Sequence, residues 1–453
     1  MESPAKSSTC HLLALPYPGR GHINPMMNLC KLLCSKKSDL VITFVVTQEW
    51  YGFIGSDSKP ANVRFCTLPN VIPSELARAK DFPAFFEAVF TRMEAPFEQL
   101  LDRLQLPVTV LLIDTYMGWA VRVGNRRNIP VASLWTMSAS VLSVLHHFDL
   151  LVKNQHFPVN LSEHGDEIVD YIPGLPSITL ANLPTILHGT GHQTLPRALE
   201  AISLIPKSQY LLFTSVYELE SRVIDVLKAE FTFPVYAIGP SIPFFTLKDN
   251  FPTSNYLQWL DSQPKASVLY LSLGSFLSVS AAQMDELVAG VRNSSVPYLW
   301  VSRVEASWFK ESCEDRGLVI PWCDQLRVLC HSSTGGFLTH CGWNSTLEAV
   351  YAGIPTLTFP IFWDQVPNSK QLVEEWKMGR SVKSEVGTEN LVSREEIAEI
   401  VRNFMNLDCN EGKEMRGKAR QLAEACRGAI SEGGSSDVSL DSFIKVLSKG
   451  HAD

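Results

Sequence analysis

The sequence lacks any uncharged apolar run close to the ~20 residues that a membrane-spanning helix needs. Its best stretch, Ser133 to Val152, is rich in serine and interrupted by His146, His147 and Asp149. No leader peptide is legible in the polar opening Met1-Glu2-Ser3-Pro4-Ala5-Lys6-Ser7-Ser8, so the expected setting is the cytoplasm, with no integral membrane anchor. A cationic surplus is also missing. There are 39 Lys and Arg against 47 Asp and Glu, a net charge of −8. That argues against a nucleic-acid binder and against a polybasic lipid-binding patch. The ten cysteines contain no Cys-x-x-Cys pair, and they read as scattered free thiols. Asn160-Leu161-Ser162 and Asn293-Ser294-Ser295 fit the glycosylation pattern, but without a leader they read as unused. There is no internal repeat or low-complexity block.

What is present is a large apolar fraction, 45% of 453 residues. That is enough for a sizeable core, and the length favours two domains. Short apolar runs alternate with helical stretches. His11–Tyr17, Leu40–Thr47 and Val108–Asp114 read as strands, as do Ser267–Leu273, Gly336–Thr339 and Thr356–Pro360. They are continuous rather than alternating, as in parallel strands covered on both faces. Helical segments such as Pro25–Ser35, Gly118–Arg127 and Ser345–Tyr351 follow them. The expectation is an α/β fold with two parallel-sheet domains. The first spans 1–240. A Pro-containing linker at 241–255 leads to a second domain at 256–433. A tail at 434–453 follows Gly433-Gly434-Ser435-Ser436. In such folds, ligands sit beyond the carboxyl ends of the strands.

The richest such place lies between Trp322 and Gln365. Gly336–Thr339 is a short strand, and His340-Cys341-Gly342-Trp343-Asn344-Ser345 turns into a helix, with Asn344 and Ser345 as good capping types. A glycine-containing turn at a helix N-terminus suits an anion, and a diphosphate is the natural guest. His340 can add a hydrogen bond. Trp322 can stack on a base. Asp364 and Gln365 can serve sugar hydroxyls.

This stretch closely resembles the secondary-product glycosyltransferase box of the plant family-1 UDP-glycosyltransferases. The resemblance extends along the chain through Gly21-His22-Ile23-Asn24-Pro25, Tyr236-Ala237-Ile238-Gly239-Pro240 and Ser267–Ser275. It implies two facing Rossmann-like domains of GT-B type with the site in the cleft. The first domain would hold the acceptor and the second the donor, and the tail would pack back on the first domain. Trp322, Cys323 and Gln325 would hold uracil. Glu348 would bind the ribose, although Ser345-x-x-Glu348 also fits a capping box. His340, Gly342, Asn344, Ser345 and Ser275 would hold the diphosphate. Trp343, Asp364, Gln365 and Thr136 would meet the sugar. The final Gln365 favours UDP-glucose as donor. The family's usual Trp-Ala-Pro-Gln is Trp322-Cys323-Asp324-Gln325 here, and losing the proline would loosen that loop.

Transfer with inversion needs a base, and histidine suits neutral pH. His22 follows the first strand, just before the predicted helix, where a helix N-terminus disfavours a charged ring. Asp114 ends an apolar strand and would orient His22, or else cap the next helix. The family's His–Asp dyad maps onto this pair. No metal and no cofactor are needed if the helix terminus offsets the phosphates. The partners expected are a UDP-sugar and a small lipophilic acceptor, met by a monomer.

Three rivals are weaker. In a dinucleotide fingerprint starting at Gly19-Arg20-Gly21, the third glycine is replaced by Asn24. Cys323, Cys330, His331, His340 and Cys341 have the wrong spacing for zinc. A non-catalytic UDP-sugar sensor has no need of His22 and Asp114. The aromatic segment Phe82–Phe97 reads as core.

Overall fold

The computed structural model describes residues 10–158, 160–248, 254–274, 279–302, 316–382 and 391–449. The first sheet is built from β1 (His11–Leu15), β2 (Val41–Thr47), β3 (Val63–Leu68), β4 (Val110–Asp114) and β5 (Val131–Trp135). A small antiparallel pair follows, β6 (Ile168–Val169) with β7 (Ile178–Thr179). Then β8 (Tyr210–Phe213) and β9 (Val235–Ala237) complete the first sheet, ordered β3-β2-β1-β4-β5-β8-β9. The second sheet holds β10 (Val268–Ser272), β11 (Tyr298–Val301), β12 (Gly317–Ile320), β13 (Thr334–Thr339), β14 (Thr356–Thr358) and β15 (Gly379–Ser381). Its order is β12-β11-β10-β13-β14-β15. Every pairing within these two sheets is parallel.

The unbroken apolar strands have the reason expected of them. Leu13 and Leu15 enter one core cluster, while Leu12 and Ala14 enter another on the opposite face. In β10, Leu269 and Leu271 face one cluster, and Val268 and Tyr270 the other. Period-2 alternation places both sets under helices. In each sheet the strand order reverses beside the first strand, between β1 and β4 and between β10 and β13. The carboxyl ends of those strands are the switch points where a doubly wound sheet opens a crevice.

Several local expectations are corrected. The first helix is Arg20–Lys36, starting five residues before Pro25. Proline inside a helix removes the bond to the carbonyl four residues back. That carbonyl, Gly21 O, instead accepts from Asn344 Nδ2 at 2.9 Å. The aromatic segment breaks at Met93 into helices Phe82–Arg92 and Glu94–Arg103. Its Phe85, Phe86, Phe90 and Phe97 are core.

The last helix, Ser435–Lys449, follows Arg394–Met405 and Asn410–Ile430 and crosses to the first sheet. Leu440, Phe443 and Leu447 join the core cluster of β1 and β2. Phe443 lies 6.1 Å from Tyr210 and 6.0 Å from Tyr236, ring to ring. Lys36 Nζ pairs with Asp437 at 2.5 Å and Asp441 at 2.6 Å. Phe443→Ala would leave a cavity under that sheet. It is expected to cost ~3–5 kcal/mol, read as a lower urea midpoint. An unchanged midpoint would show that the helix is dispensable for the fold.

Candidate active site

The loop after β1 and the end of β4 meet at the first switch point. Gly19 caps the first helix, and His22 N and Ile23 N donate to Gly19 O at 3.0 and 2.9 Å. His22 therefore sits in the first turn of the helix rather than in the loop before it. Its Nδ1 lies 2.7 Å from Asp114 Oδ2. A carboxylate accepts only, so that nitrogen carries the proton and Nε2 is left toward the cleft. Asp114 is 1% exposed, and its other oxygen accepts from Tyr116 N at 3.0 Å. Thr136 is buried against the pair, its Oγ1 2.8 Å from His22 Nδ1 and 3.5 Å from Asp114 Oδ2. The helix after β4, Trp119–Arg126, has Gly118 as its N-cap with no side-chain capping bond, so Asp114 does not cap it.

The second switch point mirrors the first. His340 follows β13 and packs between Gly274, which follows β10, and Gly342. A Cβ on Gly274 would stand 2.7 Å from His340 Nε2, and one on Gly342 2.5 Å from it. Only glycine leaves room for the ring, and Gly274 has a φ of +84°. Burial pushes His340 down to about 4, against a weaker opposing pull from the Ser272 main chain. The ring is neutral near pH 7 and offers a hydrogen bond without charge. The helix Trp343–Ala352 starts from Gly342, without a side-chain cap. Asn344 and Ser345 lie inside its first turn and do not cap it. The capping-box reading of Glu348 falls with that shift in start.

Instead, Gln325 Nε2 donates to Ser345 Oγ at 2.9 Å and to Glu348 Oε2 at 2.5 Å. Tyr270 OH donates to Gln325 Oε1 at 3.0 Å and lies 3.4 Å from Cys323 Sγ. Trp322 stands beside them, 64% exposed. Asp324 caps the helix Gln325–Leu329, accepting from Arg327 N at 3.2 Å and Arg327 Nε at 3.1 Å. An acceptor at the N-cap does the work of the absent proline.

Burial pushes the Glu348 carboxyl up to about 7, with the Gln325 bond opposing it. The folded chain then holds this proton more tightly than the unfolded chain, which releases it near 4.5. The stability that the bound proton confers is lost as pH rises through about 7. Glu348→Gln removes that loss. Cleft water screens part of the full effect, so the variant should gain ~1–2 kcal/mol on the parent between roughly pH 5 and 8. Urea midpoints across pH test this, and a constant difference between the two proteins would overturn it.

Asp364 is buried, and burial pushes it up to about 6, although it accepts from Asn368 Nδ2 at 2.7 Å. Gln365 Oε1 accepts from Ile361 N and Phe362 N at 2.7 and 2.9 Å, which turns its NH₂ into the free end. Just before them the chain inserts Trp363 into the first domain. Its ring meets Phe82, Phe86 and Tyr116 at 5.6, 5.8 and 6.1 Å. Thr185 clasps its backbone, with Trp363 N to Thr185 Oγ1 at 2.7 Å and Thr185 N to Trp363 O at 2.9 Å.

Both halves line one cleft of about 840 Å³. His22, Thr136, Trp322, Cys323, Gln325, His340, Gly342, Trp343, Asn344, Ser345, Glu348, Asp364 and Gln365 all border it. Asp114 stands behind His22. The Trp343 ring lies mostly in the second core, 3% exposed. Ser275 lies outside the described residues. Sequence reading passed over Arg78, which donates to Pro18 O at 3.3 Å and supports the loop before His22. It also passed over Tyr17, whose ring is 4.9 Å from that of His22. Tyr270 was legible in principle, as the one ring in the strand Val268–Ser272.

The chain matches the family described as UDP-glucoronosyl and UDP-glucosyl transferase over residues 245–406. It is 54% identical to UDP-glycosyltransferase 87A1 of Arabidopsis thaliana over 439 residues, covering 96% of this chain and 100% of that one. It belongs to the plant family-1 UDP-glycosyltransferases. The fold of this UDP-glycosyltransferase is accordingly GT-B. It is similar to Os79 of O. sativa, solved with U2F and trichothecene, at a TM-score of 0.84 and 27% identity over 96% of this chain and 100% of that one. It is also similar to UGT71G1 of Medicago truncatula complexed with UDP-glucose, at a TM-score of 0.81 and 25% identity over 98% and 99% of the two chains.

Proposed function

We propose that this UDP-glycosyltransferase transfers glucose from UDP-glucose, with inversion, to a hydroxyl of a small lipophilic acceptor, and that His22 is the base. One observation carries the reading: His22, backed by Asp114, and the turn His340–Ser345 border the same cleft from opposite sheets. In the proposed step, the acceptor oxygen attacks the anomeric carbon and passes its proton to His22 Nε2. The bond from that carbon to the diphosphate oxygen breaks, and its electron pair leaves with UDP. Asp114 steadies the charged ring. Backbone N–H groups at the start of the helix Trp343–Ala352, with His340 and Asn344, take the diphosphate. Uracil lies on Trp322, and the ribose meets Glu348. Asp364 and the free amide of Gln365 hold the glucose. Tyr17, Phe82, Phe86 and Tyr116 give the acceptor an apolar wall.

Among the described residues, no helix is long and apolar enough to cross a membrane. We place the enzyme in the cytoplasm as a monomer of secondary metabolism. The test is UDP release from UDP-glucose with a mixed acceptor library, with products weighed by mass spectrometry. Addition of a hexose to one acceptor supports the reading. Bound UDP-glucose with no UDP release from any acceptor would favour a sensor. No binding at all would overturn the donor.

A further inference from the structure

Away from the cleft, two helices converge on one carboxylate. The helix Ala139–His146 ends at His146, with His147 as its C-cap, and the helix Tyr217–Glu230 ends at Glu230. Glu230 Oε1 lies 2.9 Å from His147 Nε2, and its Oε2 lies 3.3 Å from His146 Nε2. Among the described residues, this is the one group of three potential ligand atoms that all fall within 4.8 Å of one another. None of the three borders the cleft.

The state of His147 is set from behind. Its Nδ1 lies 2.9 Å from Ser143 O. A carbonyl only accepts, so Nδ1 carries a proton. The Ser143 hydroxyl is turned to Pro173 O at 3.1 Å. With Nδ1 engaged from behind, His147 turns Nε2 toward a carboxylate oxygen of Glu230, the orientation that a metal-bound histidine takes. His146 stands beside it, ring centroids 5.0 Å apart, and packs on Phe231. A divalent ion answers all three groups together.

We propose that His146, His147 and Glu230 form a binding site for a divalent transition metal, zinc in the first instance. Imidazole nitrogen and carboxylate oxygen suit that ion. Tetrahedral zinc with bonds near 2.0–2.1 Å separates its ligand atoms by roughly 3.3 Å. Here each ring nitrogen lies 2.9 or 3.3 Å from a different oxygen of the Glu230 carboxylate, and one ligand atom from each residue falls within 4.8 Å of the others, so small side-chain rotations would bring the three to that spacing. Ser143 O fixes the tautomer as an outer partner of a metal-bound histidine does. The partly exposed Glu230 side leaves a fourth position to water.

The site has a structural consequence. The same two helices are already fastened at their other ends. There Glu220 Oε2 accepts from Ala139 N at 2.9 Å, and Oε1 accepts from Ser140 N at 3.0 Å. Zinc would close the second end and stabilise the helix that follows the β5 loop carrying Thr136, without entering the reaction.

The test uses the full chain stripped with EDTA and titrated with zinc chloride, by calorimetry and by thermal unfolding. The expected result is one zinc per chain and a raised melting temperature. Glu230→Gln and His147→Ala should each weaken binding by at least ~10-fold and abolish the shift. His164→Ala, at a separate surface pair with Glu167, should leave both unchanged. No stoichiometric binding by the parent protein would overturn the proposal. So would equal affinity in Glu230→Gln, which keeps the shape of the side chain and removes only its charge.

Discussion

His22→Ala is expected to lower kcat by ~10²–10⁴-fold while leaving the affinity for UDP within about twofold. The asymmetry follows from where His22 sits. Its contacts are Asp114, Thr136 and the Tyr17 ring, all on the first sheet's side of the cleft. The diphosphate and uracil positions proposed above lie on the second sheet's side. Removing the imidazole takes away the group proposed to receive the acceptor proton, and water in its place is a far weaker base. Steady-state kinetics with the acceptor found in the library, beside calorimetric titration of UDP, separate the two quantities. A variant with full kcat would show that another group takes the proton. Equal loss of UDP affinity and rate would mean that the substitution had disturbed the donor side.

Asp114→Asn should cost nearly as much, ~10²–10⁴-fold in kcat, although it changes no shape. Asp114 Oδ1 accepts from Tyr116 N at 3.0 Å, so an asparagine would keep its oxygen there. Its NH₂ would then face His22 Nδ1 and donate to it. That drives the imidazole proton to Nε2, where the proposed step has the acceptor hydroxyl deliver its own. The ring stays in place in the wrong tautomer. The pair acts as a unit, so a double His22→Ala/Asp114→Asn variant should lose little more than either alone. Multiplied losses would indicate separate roles for the two residues. The fold should be untouched, which near-UV circular dichroism and the urea midpoint would show.

The sequence alone was enough for the fold class and for the approximate address of the residues that line the cleft. Strands buried on both faces leave a period-independent apolar signature. A turn of His340-Cys341-Gly342 after such a strand can hardly be anything but a switch-point loop. His22 and Asp114 were legible because each ends or follows a strand, which is a local property. What tertiary structure decided is everything that depends on a partner far along the chain. Pro25 argues against a helix running through it until Asn344 supplies the donor that Gly21 O needs, 323 residues away. Asn344 and Ser345 look like caps because their side chains suit that place, yet the helix starts at Gly342, where a Cβ would strike His340. Asp324 caps a helix where a proline was expected, and Trp363 leaves its own domain to complete an aromatic cluster in the other. Propensity and periodicity report on a few neighbouring residues. Caps, orphaned carbonyls and inter-domain packing are settled by whichever distant group arrives to satisfy them.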